Sequence, residues 1–242
     1  MLDVFSNLYD ASSRPRGRMG IPSGVAAMAW DQQSPINLRP SFTSKAPAGY
    51  LHLAWGSAID GFLHHGDHGV EVIFPPTPSK YLELEGKRFL LRQFHLHHPA
   101  EHLIDGTLHD AELHVVHQNL DDATFAVVGI PLTVDPNAKE SREAAGWVKS
   151  FTAARESKTV AIPLKPASWL PVNHDRLYRY EGSLTTEPFT ETVSWIVFPE
   201  PKAISPALFA AIFGEHPQKA RGIQARNRRF IIDLELTISI SR

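Results

Sequence analysis

A chain of 242 residues is long enough for one large domain with a substantial core. Its formal net charge of −2, with 43% apolar and 21% charged residues, describes an ordinary globular surface and argues against nucleic acid or an anionic membrane as the main partner. There is no cysteine, so structural disulfides and thiolate–metal sites are excluded, and no run approaches the roughly 20 apolar residues needed to span a bilayer.

Residues 1–29 show weak periodicity with several Gly, Pro and Ser, and read as an N-terminal arm. They contain no apolar stretch of signal-peptide length. The expected compartment is therefore cytoplasmic, or periplasmic or secreted where a leader has been removed. Residues 30–242 read as one domain.

From about Pro35 onward, short alternating apolar runs are separated by Pro, Gly and Asp. This pattern predicts strands over Leu51–Trp55, Val70–Phe74, Tyr81–Leu84, Phe89–His97, Glu112–His117, Thr124–Ile130, Leu177–Tyr180 and Thr192–Phe198. Two helices are expected. Lys139–Ala154 carries Trp147, Val148 and Phe151 at helical spacing, and Pro206–Phe213 opens with a Ser205 cap and a proline in the first turn. The segment Phe230–Arg242 alternates as one final strand, with Ile232, Leu234, Leu236, Ile238 and Ile240 on one face and Asp233 and Glu235 on the other. It fits a strand packed on the core, with an edge strand pairing to another subunit as the alternative. The fold class is mainly β, a β-dominated α+β single domain.

Six of the 13 histidines fall between His95 and His114. In a strand His95 and His97 project from one face. Two nitrogens from that strand and a third from His114 can hold one tetrahedral zinc ion with a position left open. Zinc is the expected metal because imidazoles suit it and no thiolate competes. Asp105-Gly106 is a tight-hairpin signal, and a two-residue turn there pairs His97 with His114. The same alternation puts Gln93 and Glu112 two residues ahead of a histidine on the ligand face, where each can take the second ring N–H.

The motifs Gln33-Ser34-Pro35-Ile36-Asn37-Leu38, Gln93-Phe94-His95-Leu96-His97 through Glu101-His102, and Glu112-Leu113-His114-Val115-Val116-His117 appear in that order. They are followed by Tyr180-Glu181-Gly182-Ser183-Leu184-Thr185-Thr186 and Trp195-Ile196-Val197, and more weakly by Arg221-Gly222-Ile223-Gln224 with Asn227 and Arg229. This series resembles the α-class carbonic anhydrases over about residues 30–229. The resemblance implies a large twisted, mostly antiparallel sheet with a few short peripheral helices. It implies zinc on His95, His97 and His114, and reversible hydration of carbon dioxide to bicarbonate and a proton by zinc-bound hydroxide.

In that resemblance Thr185 passes its proton to Glu101 and aims the hydroxide, and Thr186 lines the polar side of the cleft. Val116, Val127, Leu184, Val193 and Trp195 form the carbon dioxide wall, although each is also an ordinary core residue by type. His68 matches the proton shuttle, with His64 and His65 as neighbouring competitors. The partners implied are carbon dioxide and bicarbonate, with no nucleic acid and no membrane, for a monomer or homodimer. Phe189 stands where secreted relatives often carry a disulfide cysteine, and Glu187 and Gly222 replace usual prolines. A non-catalytic binding module and a zinc esterase are the rival readings. Retention of all three histidines argues against the first, and Thr185 with Glu101 favours hydration over the second.

Overall fold

Alternating apolar side chains build one large sheet, beside which three of the shortest strands pair separately. The computed structural model describes residues 31–66, 69–139, 142–157, 159–214 and 220–241; the expected N-terminal arm and His68 lie outside them. The first strands are Asn37–Leu38 (β1), Phe42–Lys45 (β2), Leu51–Leu53 (β3), Ile59–Gly66 (β4), Gly69–Ile73 (β5), Tyr81–Leu84 (β6) and Lys87–His97 (β7). Leu103–Ile104 (β8), Thr107–Leu108 (β9), Ala111–Gln118 (β10) and Phe125–Val134 (β11) follow. After helix α1 (Arg142–Ser157) come Thr159–Leu164 (β12), Arg176–Gly182 (β13), Val193–Val197 (β14) and Lys202–Ile204 (β15). Helix α2 (Pro206–Phe213), Ile232–Glu235 (β16) and Ser239–Ile240 (β17) complete the series.

The main path of the sheet runs β12-β4-β5-β7-β10-β11-β14-β13-β16-β2. Its pairings are mostly antiparallel, with parallel pairs at β11–β14, β11–β15, β16–β2 and β17–β3. Alternation divides the core. Leu113, Val115, Ala126, Val128 and Ile196 join the larger cluster with Trp147 and Phe151 of α1 and Ile212 and Phe213 of α2. The intervening residues Val116, Val127, Val193, Trp195 and Val197 form a second cluster on the other face. Strand β10 is buried along its whole length because both faces are covered.

The Asp105-Gly106 turn forms as the sequence predicts, with φ of 50° and 86°, joining Leu103↔Leu108 and Ile104↔Thr107. The register beyond it does not carry through. His95 opposes His114 and His97 opposes Glu112, so the expected His97–His114 pairing is corrected by two residues. The stretch between β7 and β8 is longer than that between β9 and β10, and this offset advances the pairing. A slip of two keeps every side chain on its face, and so His95, His97 and His114 still share one.

Three further expectations are corrected. The first helix spans Arg142–Ser157 rather than Lys139–Ala154. Asn137 N bonds to Asp135 Oδ1 in a local turn ahead of the helix, and no Gly or Pro after Ala154 ends it. The C-terminal segment forms two short strands instead of one. Strand β16 lies between β13 and β2 and is no free edge, and Asp233 is 1% exposed because Arg176 and Thr43 bind it. The sequence pattern also misses β12, where Pro163 demotes the run; proline is tolerated there because β12 ends the sheet path.

Candidate metal centre

Pairing sets His95 of β7 against His114 of β10, with His97 one pleat further along β7. Ring centroids lie 4.9 Å apart for His95–His97, 5.1 Å for His95–His114 and 4.6 Å for His97–His114. One nitrogen from each ring falls within 4.8 Å of the others. His95 Nε2 and His114 Nδ1 are 3.2 Å apart. Two nitrogens held at about 2.0–2.1 Å in a tetrahedron stand about 3.3 Å apart, so this spacing suits zinc. Burial, reinforced by the neighbouring ring charges, pushes His95 and His97 well below the ordinary histidine range. Both are therefore neutral, the form that binds metal.

Glu112 fixes the third ring. Its carboxylate takes His114 Nε2 at 3.0 Å, His102 Nδ1 at 2.7 Å, and the backbone N–H groups of Glu101 and His102 at 3.1 and 2.8 Å. Burial alone would raise this carboxyl; the charge of His102 and the bonds from His102 and His114 hold it well below the usual range. An ionised carboxylate only accepts, so His114 carries its proton on Nε2 and turns a bare Nδ1 to the centre. A Cβ at Gly129, which pairs with His114, would stand 2.9 Å from Glu112 Oε1, so glycine makes room for the carboxylate. His102, Glu112 and His114 also meet metal-ligand spacing. Both His102 nitrogens are engaged, however, Nε2 with Tyr180 Oη at 2.6 Å, and this group serves as a hydrogen-bonded support.

Gln93 donates its amide nitrogen to Glu71, leaving its Oε1 buried without a partner; His95 Nδ1 is unpartnered too. Glu101 is buried beside the rings, with Oε2 3.6 Å from His97 Nε2 and 4.0 Å from His114 Nδ1. Its Oε1 accepts the Arg221 backbone N–H at 2.8 Å. Burial raises the Glu101 carboxyl, opposed by the nearby His114 ring, the Arg221 N–H and the adjacent Thr185 side chain. Thr185 is buried and Thr186 half-buried on the loop between β13 and β14.

That loop is tied down by motif residues to which the sequence pattern assigns no role. Arg221 lays its guanidinium 3.7 Å over the Phe189 ring and bonds Ser34 O and Gln33 Oε1 at 2.6 and 2.8 Å. Gln33 Nε2 returns to Phe189 O and Glu191 Oε1. A cation–π contact thus engages Phe189, the position at which the resemblance has secreted relatives carrying a disulfide cysteine. Val116, Val127, Val193 and Trp195 cluster with Leu184 packed against them, and the Trp195 ring lies 4.9 Å from that of His114. His64 is half-buried on β4. Among the described residues, no helix is long and apolar enough to cross a membrane.

A profile of the eukaryotic-type carbonic anhydrase family matches residues 23–230, and the chain belongs to that family. A carbonic anhydrase from Nostoc sp. (strain PCC 7120 / SAG 25.82 / UTEX 2576) is 32% identical over 205 residues, 84% of this chain and 75% of that protein. The solved α-carbonic anhydrase of Photobacterium profundum superposes with a TM-score of 0.70 at 30% identity, covering 85% of this chain and 90% of that one. A dioscorin solved in complex with ascorbate superposes with a TM-score of 0.72 at 27% identity, covering 85% and 87%.

Proposed function

We propose that the chain catalyses the reversible hydration of carbon dioxide to bicarbonate and a proton, with zinc held by His95, His97 and His114. The observation that carries this reading is the convergence of nitrogens from one half-buried and two buried imidazoles, one of them fixed in its tautomer by Glu112. Zinc, when bound, supplies the Lewis acidity that lets water ionise near pH about 7, a general property of this enzyme class rather than a value obtained from this chain.

The chain's own residues orient the reactants and move the proton. Glu101, held by the Arg221 N–H, accepts the Thr185 hydroxyl proton in a hydrogen bond, which leaves the Thr185 oxygen as an acceptor facing the nucleophile. Thr186 supplies the polar wall. Val116, Val127, Leu184, Val193 and Trp195 offer a nonpolar substrate a surface without competing hydrogen bonds. His68 carries the proton to bulk solvent, with His64 and His65 as alternatives on the same segment.

The likeness to a dioscorin bound to ascorbate motivates a second reading, a module that binds a small organic acid without turnover. Stopped-flow carbon dioxide hydration, alongside metal analysis, separates the two. Hydration well above buffer, lost on chelation and restored by zinc, is expected. A zinc-loaded protein with no hydration above buffer would overturn the proposal.

A further inference from the structure

Strand pairing sets Glu71 of β5 opposite His95, and Ile73 opposite Gln93. Directly opposed residues share a sheet face, so Glu71, Gln93 and His95 project to the ligand side. Val72 and Phe94, which pair between them, are buried in the larger core behind. The Glu71–Gln93 hydrogen bond is the diagonal contact of this ladder.

A carboxylate accepts and cannot donate, so it selects one of the two orientations of the Gln93 amide: nitrogen toward Glu71, oxygen away. That oxygen is buried without a partner, and His95 Nδ1, two residues along the same face, is buried without one as well. A buried orphan donor or acceptor costs about 1–3 kcal/mol, and a hydrogen bond between these two atoms would relieve both. Were the amide reversed, its N–H would face His95 Nδ1. The ring proton would then move to Nε2, the nitrogen turned toward His114.

We propose that Glu71 is a positioning residue for the metal centre. It locks the Gln93 amide, and through it the His95 tautomer that leaves Nε2 free to bind zinc. Alternation along β7 marks Gln93 as an outer partner, whereas the residue that orients it lies on β5. The inference rests on the zinc reading above, and one of its tests does not.

The test compares wild type, Glu71→Ala and Glu71→Gln. Zinc dissociation constants come from competition with a chelator, and nitrogen chemical shifts of the His95 ring from the metal-free protein at neutral pH. Glu71→Gln keeps a carbonyl acceptor for the Gln93 amide. The alanine variant is expected to bind zinc about tenfold more weakly, the lower end of the range for outer-sphere partners. The glutamine variant should stay within about threefold, since its acceptor preserves the orientation. The His95 shifts should report a proton on Nδ1 in wild type and in Glu71→Gln, with a shift toward Nε2 in Glu71→Ala. Unchanged zinc affinity in a folded Glu71→Ala protein would overturn the proposal, as would equal losses in both variants, which would assign the effect to charge. If wild type binds no zinc, the functional reading fails, yet the ring shifts still decide whether Glu71 sets the His95 tautomer.

Discussion

Glu112 and His114 sit two residues apart on β10, and the carboxylate Oε1 lies 3.0 Å from Nε2 of that ring. This bond assigns the ring proton and aims Nδ1 at the centre. Glu112→Ala should therefore weaken zinc binding by about 10–100-fold, the range for outer partners of metal histidines. Chelator competition measures it. An unaltered dissociation constant in a folded variant would mean that His114 is oriented by other contacts.

Gly129 is the counterpart of that bond on β11. An added methyl would press on the Glu112 carboxylate at 2.9 Å and on Val197 at 3.2 Å, both in tightly packed surroundings. Gly129→Ala is expected to lower stability by about 1–3 kcal/mol and to reduce zinc affinity. Urea unfolding and metal titration report the two effects. A variant that loses neither would place the carboxylate elsewhere.

In the proposed mechanism Thr185 acts on orientation rather than on retention of the ion. Thr185→Ala should keep zinc and lose roughly a hundredfold in kcat/KM, the scale attached to misdirected reacting groups. Equal hydration by the variant and wild type would remove Thr185 from the mechanism.

His68 is expected to limit only the export of the proton. His68→Ala should hydrate carbon dioxide slowly in weak buffer and recover when imidazole is added, because a soluble base replaces the shuttle. Full activity in weak buffer would transfer the role to His64 or His65.

Much of this site is legible in the sequence because a strand's two-residue period is strict. His95, His97, Gln93, Glu112 and His114 follow from alternation alone, and a register error of two leaves their faces intact. What alternation does not give is any contact between strands distant in sequence. Glu71 meets Gln93 only because β5 pairs with β7, and Arg221 reaches Glu101 from 120 residues away. Neither distance leaves a local pattern. The missed strands have the same character. Phe42–Lys45 is exposed throughout, so it shows no buried face to read, and its partner β16 supplies the reason it is a strand. Alternation in the C-terminal segment marks its two faces by residue type alone. Asp233 lies on the polar face by type, yet the strands flanking β16 cover it and Arg176 neutralises it.

His117 predicts acid lability independent of the metal. It is buried on β10, where Trp55 Nε1 donates to its Nε2 at 3.1 Å and its Nδ1 lies 3.3 Å from Ala126 O. The ring must therefore be neutral, since a proton on Nε2 would face the indole N–H. Burial pushes its pKa from 6.5 down to about 3, against the opposing pull of the backbone carbonyls. The unfolded chain takes up the proton first as pH falls. The stabilising contribution is complete above about pH 6.5 and is lost progressively toward pH 3. Between pH 7.5 and 4.5 this one ring should cost about 2–3 kcal/mol of unfolding free energy. His117→Gln keeps an acceptor for Trp55 and does not titrate, so its unfolding free energy should fall by that much less over the same interval. Urea denaturation of both proteins at the two pH values measures the difference. Parallel losses would show that the acid sensitivity arises elsewhere, His95 and His97 being the next groups to substitute.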